Sequence, residues 1–292
     1  MTLHILCATD DNYAQHCGVL ISSIFSNNIN NEIIIHIIES NLCIQNKSRL
    51  NAIAQKFNQK IEFHYFNSIP IEDFTIGQCG AKSFVTYYRI FITSIIKDIN
   101  IKRILYLDCD IIVNRNISSL FLIDMTNYPI AAVQDLNNPT KEFHRFNISF
   151  GYNDKYFNAG VLLINLDLWR TNNFEQQLIQ FCSNDKLGYF ADQDSLNVVF
   201  KNKWLELAPY WNRFSLVEYK NVYFKTKNDE LIYIYEPYIV HYASPLARPW
   251  LRNKFIPLKK LYLHYLKETP WYKNSIFSKV NNIQCFKTIL YT

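Results

Sequence analysis

Short runs of β-type residues alternate with helical stretches through the first half of this chain. That alternation is typical of an α/β fold with a mostly parallel sheet flanked by helices on both faces. With 292 residues, 49% of them hydrophobic, the chain can bury one large domain of this kind or two smaller ones. The strands predicted in this half are Leu3–Thr9, Ile33–Glu39, Ile61–Phe66 and Arg103–Leu107, and the helices are Gln15–Ser26, Asn46–Phe57 and Lys82–Ile96.

The second half is less regular, and its composition changes near residue 250, after which Lys and aromatic residues dominate. We therefore divide the chain into residues 1–250 and a tail of residues 251–292. The predicted elements before the tail are strands at Ile130–Val133 and Gly160–Asn165, helices at Phe174–Cys182 and Asp192–Phe200, and β-rich runs at Leu231–Tyr235 and Tyr238–Tyr242.

An apolar run ends abruptly in two carboxylates, Asp108 and Asp110. Side chains at i and i+2 of an extended segment lie on one face, so both can reach the same ligand. Two neighbouring anions repel each other, and a hard divalent cation such as Mg²⁺ or Mn²⁺ between them removes that repulsion. The pattern predicts a metal site, the alternative being a surface turn with two solvated acids. In parallel sheets ligands bind beyond the carboxyl ends of the strands, where Asp10 and Asp11 also lie.

Composition excludes several other classes of site. Gly occurs only six times, and neither G-x-G-x-x-G nor a P-loop is present, so a bound nucleotide is not held by a glycine-rich cradle. The seven cysteines include no C-x-x-C pair, which indicates reduced thiols in the cytoplasm. The N-terminus lacks the pattern of a signal peptide, and no segment approaches the roughly 20 apolar residues that cross a bilayer.

Six motifs occur in the order expected of one enzyme family, over roughly residues 3–255. The motifs are Ala8-Thr9-Asp10-Asp11-Asn12-Tyr13, Thr86-Tyr87-Tyr88-Arg89, Tyr106-Leu107-Asp108-Cys109-Asp110, Phe157-Asn158-Ala159-Gly160-Val161-Leu162-Leu163-Ile164-Asn165, Asp192-Gln193-Asp194-Ser195-Leu196-Asn197, and His241-Tyr242 followed by Arg248-Pro249-Trp250. On these motifs the sequence resembles glycosyltransferase family 8, the retaining galactosyl- and glucosyltransferases of lipopolysaccharide outer-core synthesis.

The resemblance implies a GT-A fold over residues 1–250 and transfer of galactose or glucose from a UDP-hexose to a saccharide acceptor, with retention of the anomeric configuration. It implies that Asp108, Asp110 and His241 bind Mn²⁺, or Mg²⁺, which would neutralise the departing UDP. The residues that match positions around the donor are Ala8, Asp10, Asn12, Tyr13, Arg89, Asp108, Cys109, Asp135, Asn158, Ala159, Ser244 and Arg248, with Gln193 and Asp192 matched to the reacting sugar.

Plainer interpretations of single residues stay open. His241 alone is typical of a core histidine, Asp192 of a helix N-cap, and Arg89 of a solvated helix face. The chain also departs from the family pattern after the ligand histidine. Ser244 stands where members commonly have Gly, and Arg248 stands for a Lys with one additional residue before it, which changes the reach of this loop.

Retention of configuration can arise in two ways. A double displacement needs a nucleophile below the sugar ring, where the match offers Gln193, a poor nucleophile, beside Asp192. Front-face attack instead lets the leaving phosphate accept the proton of the acceptor hydroxyl. We favour front-face attack, in which the protein contributes positioning and electrostatic stabilisation.

The tail carries eight basic residues and one acid, interleaved with eight aromatics. Leu258–Lys267 can form a basic amphipathic helix, which predicts binding to an anionic membrane surface on the cytoplasmic face. That location suits a lipid-linked acceptor. The alternative is a helix that packs on the body with its Lys outward. Nucleic acid binding is not expected, because no nucleic-acid motif accompanies the basic residues.

Two other functions remain alternatives at this point. D-x-D after a strand also opens the haloacid-dehalogenase-like phosphatases, although there it normally follows the first strand. The chain could also be a non-catalytic sugar-nucleotide-binding protein. The sequence leaves open the donor hexose, the acceptor, the linkage and the oligomeric state.

Overall fold

The computed structural model describes residues 1–65, 84–135, 154–184, 192–216, 222–246, 248–251 and 255–274. Its strands are β1 (Thr2–Asp10), β2 (Glu32–Ser40), β3 (Lys60–Tyr65), β4 (Arg103–Leu107), β5 (Ile111–Val113), β6 (Ile130–Gln134), β7 (Phe157–Asn165), β8 (Trp204–Glu206), β9 (Arg213–Phe214) and β10 (Ile239–His241). Its α-helices are α1 (Ala14–Asn27), α2 (Ile44–Lys56), α3 (Ile92–Ile95), α4 (Leu166–Thr171), α5 (Phe174–Asn184), α6 (Asp192–Val199), α7 (Lys227–Tyr235) and α8 (Lys259–Lys267).

The described residues form a seven-stranded sheet in the order β3-β2-β1-β4-β7-β6-β8. The first four strands in this order are parallel, whereas β7 runs antiparallel to both of its neighbours. The prediction of an α/β fold with a mostly parallel sheet flanked by helices is confirmed.

Side-chain alternation along the strands divides the core into two layers. Leu3, Ile5 and Cys7 of β1 face the layer that holds α1, α2 and α8. Leu6, on the opposite face, packs in the layer that holds the segment from Tyr87 to Ile96 and helices α4 to α6. Fully burying one such aliphatic side chain contributes roughly 1.5–3 kcal/mol, so both faces of the sheet are stabilised by burial.

A second, three-stranded sheet in the order β5-β10-β9 lies next to the end of β4. Its strand β5 follows β4 closely in the chain, with three residues between the two strands. His241 on β10 pairs with Ile111 on β5 and with Phe214 on β9. This small sheet brings a residue of the C-terminal half beside the acidic turn that follows β4.

The prediction of β structure at Leu231–Tyr235 is wrong, because this segment is the second half of helix α7. A capping box starts the helix: the Asp229 N–H donates to Thr226 Oγ1 and the Thr226 N–H donates to Asp229 Oδ2, each over 3.1 Å. Local capping outweighs the β propensity of the tyrosines and isoleucines. The neighbouring prediction is confirmed, with β10 lying inside Tyr238–Tyr242.

The helix predicted at Lys82–Ile96 is a 3₁₀-helix at Phe84–Phe91 followed by the single turn α3, and its first two residues lie outside the described range. In a 3₁₀-helix the side chains at i and i+3 eclipse each other. Thr86 and Arg89 therefore project in the same direction. Shorter 3₁₀ segments occur at Ser118–Leu122, Pro209–Trp211 and Tyr272–Asn274.

The predicted tail helix is present as α8, and it packs on the body of the protein. Tyr262, Tyr265 and Leu266 are buried in the same core layer as α1, while Lys260 and Lys267 are exposed. The division at residue 250 and the membrane contact stay predictions, and residues 275–292 of the tail lie outside the described range. Among the helices that the structure describes, none has both the length and the apolarity needed to cross a bilayer.

Candidate active site

The turn after β4 and the first half of β7 lie side by side. The Asp108 N–H donates to the Gly160 carbonyl over 2.9 Å, which extends the antiparallel pairing of the two strands beyond Leu107. Cys109 and Asp110 form the turn that leads into β5, so the two aspartates follow the strand rather than lie within it. The D-x-D motif and the Asn158-Ala159-Gly160 motif thus meet at the carboxyl end of β4.

The small sheet adds His241 to these aspartates. Next to the β5–β10 pairing, the Tyr242 N–H donates to the Asp110 carbonyl over 3.0 Å, which fixes the register. His241 Nε2 then lies 3.2 Å from Asp110 Oδ1 and 3.9 Å from Asp108 Oδ2. The residues that the sequence assigned to one metal are therefore brought together, with ligand atoms within 4.8 Å of one another.

The tautomer of His241 suits a metal ligand. Its Nδ1 is 3.0 Å from Asn212 Oδ1, an acceptor, so Nδ1 carries the hydrogen and Nε2 has a lone pair. Nε2 and Asp110 Oδ1 are then both acceptors, and a proton or a cation must lie between them. Burial lowers the pKa of His241, but the carboxylates of Asp110 and Asp108 more than offset this and raise it.

Because Gly160 has no side chain, the imidazole of His241 and the carboxylate of Asp108 can lie directly against its backbone. A Cβ at this position would lie 2.3 Å from His241 Cε1 and 2.9 Å from Asp108 Oδ2. Any other residue would therefore displace the imidazole or the carboxylate. Two carboxylate oxygens, one imidazole nitrogen and this glycine fit a divalent cation of the Mn²⁺ or Mg²⁺ type.

Arg89 holds two of the acids of the site. Its Nη2 donates to Asp108 Oδ1 over 2.8 Å, and its Nε lies 2.8 Å from Asp192 Oδ2. Its Nη1 donates to the Ala159 carbonyl over 2.5 Å, and the guanidinium lies over the Tyr106 ring at 4.3 Å. Arg89 is only 5% exposed, so it lies in the interior rather than on a solvated helix face. Tyr106 also donates its hydroxyl hydrogen to Asp108 Oδ1 over 3.0 Å.

Several carboxyl groups lie close to the guanidinium of Arg89. Asp192 accepts a hydrogen bond from the Thr86 hydroxyl in addition to its contact with Arg89. Burial raises the pKa of Asp192 to about 6, although Arg89 and Thr86 act in the opposite direction. Three carboxyl groups, those of Asp108, Asp110 and Asp192, thus lie near the one guanidinium of Arg89, and a divalent cation would reduce the repulsion between them.

The amide network beside these acids includes Gln193. Its Oε1 accepts from the Ala159 N–H over 2.9 Å and from Asn158 Nδ2 over 3.2 Å. Its Nε2 and Asn158 Nδ2 both donate to Asp135 Oδ2, over 3.2 and 3.1 Å. Asp135, which belongs to none of the six motifs, therefore lies in the same network as Asn158 and Gln193.

The carboxyl end of β1 contributes two acids with different surroundings. Asp10 Oδ1 accepts from the Tyr13 N–H over 3.0 Å and Oδ2 from Asn12 Nδ2 over 3.4 Å, which shapes the turn before α1. Asp11 Oδ1 instead accepts from the Cys43 N–H over 2.8 Å, at the start of α2. Asp10 therefore faces the turn that precedes α1, whereas Asp11 supports a neighbouring helix.

Of four more predicted residues, Ala8, Cys109 and Arg248 have contacts along this edge, whereas the contact of Ser244 is within its own loop. The Cys109 thiol donates to the Ala8 carbonyl over 3.2 Å and is buried, so only its backbone is available to a ligand. The Arg248 guanidinium lies 5.7 Å from the ring centroids of both Tyr13 and Trp250. Ser244 accepts from the Leu246 N–H over 3.2 Å, within its own loop.

Asn212 is a site residue that the sequence did not reveal. Its Nδ2 donates to Asn158 Oδ1 over 2.9 Å while its Oδ1 accepts from His241, so it connects the amide network to His241. It belongs to no quoted motif. Thr86, Tyr106 and Gly160 were within quoted motifs but had no assigned role, and only their contacts show one.

The chain is similar to known proteins over most of its length. A family model described as Glycosyl transferase family 8 matches residues 4–254. General stress protein A of Bacillus subtilis is 31% identical over 283 residues, which cover 92% of this chain and 94% of that protein. Lipopolysaccharide 1,3-galactosyltransferase of Salmonella typhimurium is 25% identical over 289 residues, which cover 96% of this chain and 82% of that protein.

Among solved structures, the galactosyltransferase LgtC in complex with donor and acceptor sugar analogs aligns with a TM-score of 0.80. The alignment covers 92% of this chain and 96% of that chain at 24% identity. At this identity the likeness establishes a shared fold.

Proposed function

This chain belongs to glycosyltransferase family 8, and from that membership we propose that it is a metal-dependent retaining hexosyltransferase, which moves galactose or glucose from a UDP-hexose to a saccharide acceptor. Glycosyltransfer implies a nucleotide-sugar donor and a saccharide acceptor. The family assignment replaces the phosphatase alternative. The observation that carries the proposal is the meeting of Asp108, Asp110 and His241 with Gly160 and the Gln193 network at one strand end.

The protein's own residues prepare the site for a leaving diphosphate. Asp108, Asp110 and His241 would hold Mn²⁺ or Mg²⁺, which when bound neutralises charge on the departing UDP. Arg89 and Tyr106 orient Asp108, and Asn212 orients His241, so the ligands are positioned before a donor arrives. Such preorganisation lowers the reorganisation cost during the reaction.

The contacts of Gln193 and Asp192 favour front-face attack. Gln193 Oε1 already accepts two hydrogen bonds, and an amide is a poor nucleophile. Asp192 is buried between Arg89 and Thr86, which hold its carboxylate. In our proposal both residues position the donor sugar, and the acceptor hydroxyl passes its proton to the leaving phosphate. A covalent sugar adduct trapped on Asp192 or Gln193 would overturn this mechanism.

We propose that the acceptor binds in a cleft that Asn212 helps to line. The cleft is lined by Phe214, Tyr223 and Glu206, among other residues, and so combines aromatic faces with polar groups, as saccharide sites do. Tyr223 is largely exposed and can stack on a sugar ring. Tyr223→Ala should raise the KM for the acceptor several-fold while hydrolysis of the UDP-sugar stays unchanged. An unchanged acceptor KM would place the acceptor elsewhere.

The acceptor we propose is a lipid-linked saccharide of the cell surface, because the chain is similar to a lipopolysaccharide 1,3-galactosyltransferase. The membrane contact is proposed to rest on exposed Lys260 and Lys267, since the aromatic face of α8 is buried. Each lysine near an anionic surface is worth about 1 kcal/mol. Lys260→Gln with Lys267→Gln should therefore weaken sedimentation with anionic liposomes, and equal sedimentation would reject this contact.

The decisive experiment is a panel of UDP-sugars assayed with and without Mn²⁺. We expect UDP release and thermal stabilisation with UDP-galactose or UDP-glucose, both dependent on Mn²⁺, and loss of release in Asp110→Asn. Stabilisation without turnover, even when saccharide acceptors are supplied, would instead indicate a non-catalytic sugar-nucleotide-binding protein. Turnover that is unaffected by a chelator would contradict the metal requirement.

A further inference from the structure

A second cluster of metal-binding side chains lies on the sheet, away from the candidate active site. His4 on β1, His36 on β2, and Glu62 and His64 on β3 project from the same face, because strand residues of one parity share a face and His36 pairs in register with Glu62. We call these four residues the histidine ladder. In the strand order of the described residues, β3 is at one end of the sheet.

Three atoms of the histidine ladder converge on one point. His36 Nδ1 lies 3.0 Å from His64 Nε2 and 3.3 Å from Glu62 Oε2, and the three ligand atoms are all within 4.8 Å of one another. Ligands of a tetrahedral zinc ion with bonds of about 2.0–2.1 Å lie about 3.3 Å apart. The two separations from His36 Nδ1 are close to that value, without any rearrangement of the strands.

The remaining atoms of the cluster support this orientation. His36 Nε2 lies 3.0 Å from His4 Nδ1, and the two rings are stacked with an interplanar angle of 24°. If the N–H of His36 is on Nε2 and donates to His4, the lone pair of His36 is on Nδ1, towards His64 and Glu62. The other carboxylate oxygen, Glu62 Oε1, accepts from Lys60 Nζ over 2.5 Å, so Oε2 is the oxygen that faces the histidines.

We propose that His36, His64 and Glu62 bind one zinc ion, with water as the fourth ligand and His4 as a positioning residue. Two imidazoles and one carboxylate are a donor set that favours zinc over Mg²⁺ or Mn²⁺. The ion would cross-link β2 to β3 and stabilise this end of the sheet.

The test uses the full-length chain carrying Asp110→Asn, which disables the candidate active-site metal cluster. After treatment with a chelator, the protein is titrated with ZnCl₂ by calorimetry and with Co²⁺ by visible absorption. We expect about one equivalent of zinc, d–d bands of four-coordinate Co²⁺ and a higher Tm with zinc. His64→Gln and Glu62→Gln should each weaken zinc binding about 100-fold or more, and His4→Gln about 10-fold to 100-fold.

The matched control is His264→Gln, which removes an exposed histidine on α8 and should leave zinc binding unchanged. Circular dichroism establishes that each variant is folded, and Glu62→Gln, at a partly exposed position, serves if His64→Gln does not fold. Failure to take up zinc overturns the proposal. Zinc binding that survives His64→Gln and Glu62→Gln but is lost in Cys17→Ser also overturns it, because the buried cluster of Cys7, Cys17 and Cys109 would then be the site.

Discussion

Two clusters of candidate metal ligands in the described residues differ in where their side chains come from. Asp108, Asp110 and His241 meet at the end of β4, from segments more than 100 residues apart. The histidine ladder, by contrast, is built within β1, β2 and β3, from the first 65 residues. In the first cluster the side chains lie at strand ends, whereas in the second they lie along the strands. Ligands of α/β sheets bind beyond the carboxyl ends of the strands, so the first arrangement is the one that suits a substrate.

The two clusters also differ in charge. The active-site cluster has two carboxylates, next to a third on Asp192, and Arg89 holds two of the three. The histidine ladder has one carboxylate, which Lys60 already contacts. Several carboxylates suit a hard cation such as Mg²⁺ or Mn²⁺, whereas two imidazoles and one carboxylate suit zinc. The comparison therefore predicts catalysis at one cluster and stability at the other.

The largest expected effect is loss of activity on removing one charge from the active-site cluster. Asp110→Asn should lower kcat by about 100-fold to 1,000-fold, because the amide is isosteric but is a much weaker metal ligand. The matched control is Asp11→Asn, at the end of the neighbouring strand, where the amide oxygen can still accept from the Cys43 N–H. Steady-state assays of UDP release measure both. An equal loss of kcat in the two variants would contradict the proposal that Asp110, and not Asp11, binds the metal.

A second prediction compares two glycines at which an added Cβ would come within about 2.5 Å of a neighbouring side chain. Gly160→Ala would place a Cβ 2.3 Å from His241 Cε1, and Gly18→Ala would place one 2.5 Å from Trp271 Cζ3. Gly160→Ala should raise the Mn²⁺ concentration for half-maximal activity about 10-fold to 100-fold, because it displaces a ligand. Gly18→Ala should cost about 1–3 kcal/mol in unfolding free energy without altering the metal requirement. If Gly160→Ala changes only stability, the glycine is a packing residue.

A third prediction concerns a buried histidine that belongs to neither cluster. His16 stacks on Trp250 at 3.6 Å and its Nδ1 lies 2.7 Å from the Tyr262 hydroxyl. Burial lowers the pKa of His16 to about 4, below its unfolded value near 6.5, so the unfolded chain binds the extra proton between these pH values. Stability is thus fully present above pH 6.5 and falls as the pH drops towards 4.

The expected size of this effect is about 2 kcal/mol lost between pH 7 and pH 5, measured by urea unfolding. His16→Gln should remove that part of the pH dependence, and His264→Gln, at an exposed position, should retain it. The prediction fails if wild type and His16→Gln lose stability in parallel. The result bears on the two clusters because His16 has no neighbouring metal ligands. A loss of stability that depends on His16 would show that burial by itself can keep a histidine neutral.

The fourth and smallest expected effect is on the geometry of the active-site acids. Arg89→Lys keeps the positive charge but cannot contact Asp108, Asp192 and the Ala159 carbonyl at once. We expect kcat to fall about 10-fold with little change in thermal stability, since the ammonium still offsets buried charge. Arg49→Lys, at a position outside both clusters, is the control and should keep full kcat. A large loss of Tm in Arg89→Lys would instead assign this residue a structural role.

Much of the fold could be predicted because strands and helices leave local patterns of apolar residues in the sequence. The alternation of apolar β runs and helical stretches located β1, β2, β4, α1 and α2 to within a few residues. Prediction failed at Leu231–Tyr235, where a capping box that involves Thr226 and Asp229 overrode strand propensity. The packing of α8 was likewise open, because an amphipathic helix can bury its aromatic face against protein or lipid.

The sequence by itself determined the candidate ligands, since D-x-D, the asparagine-glycine motif and a distant histidine occur in one order. Only the tertiary structure decided their roles. The 3₁₀-helix turns Arg89 towards Asp108 and Asp192, and β9 brings Asn212 to His241. The histidine ladder also depends on pairing between strands, because its residues are about 30 residues apart in the chain. Contacts of this kind depend on strand order and register, which spacing along one chain does not encode.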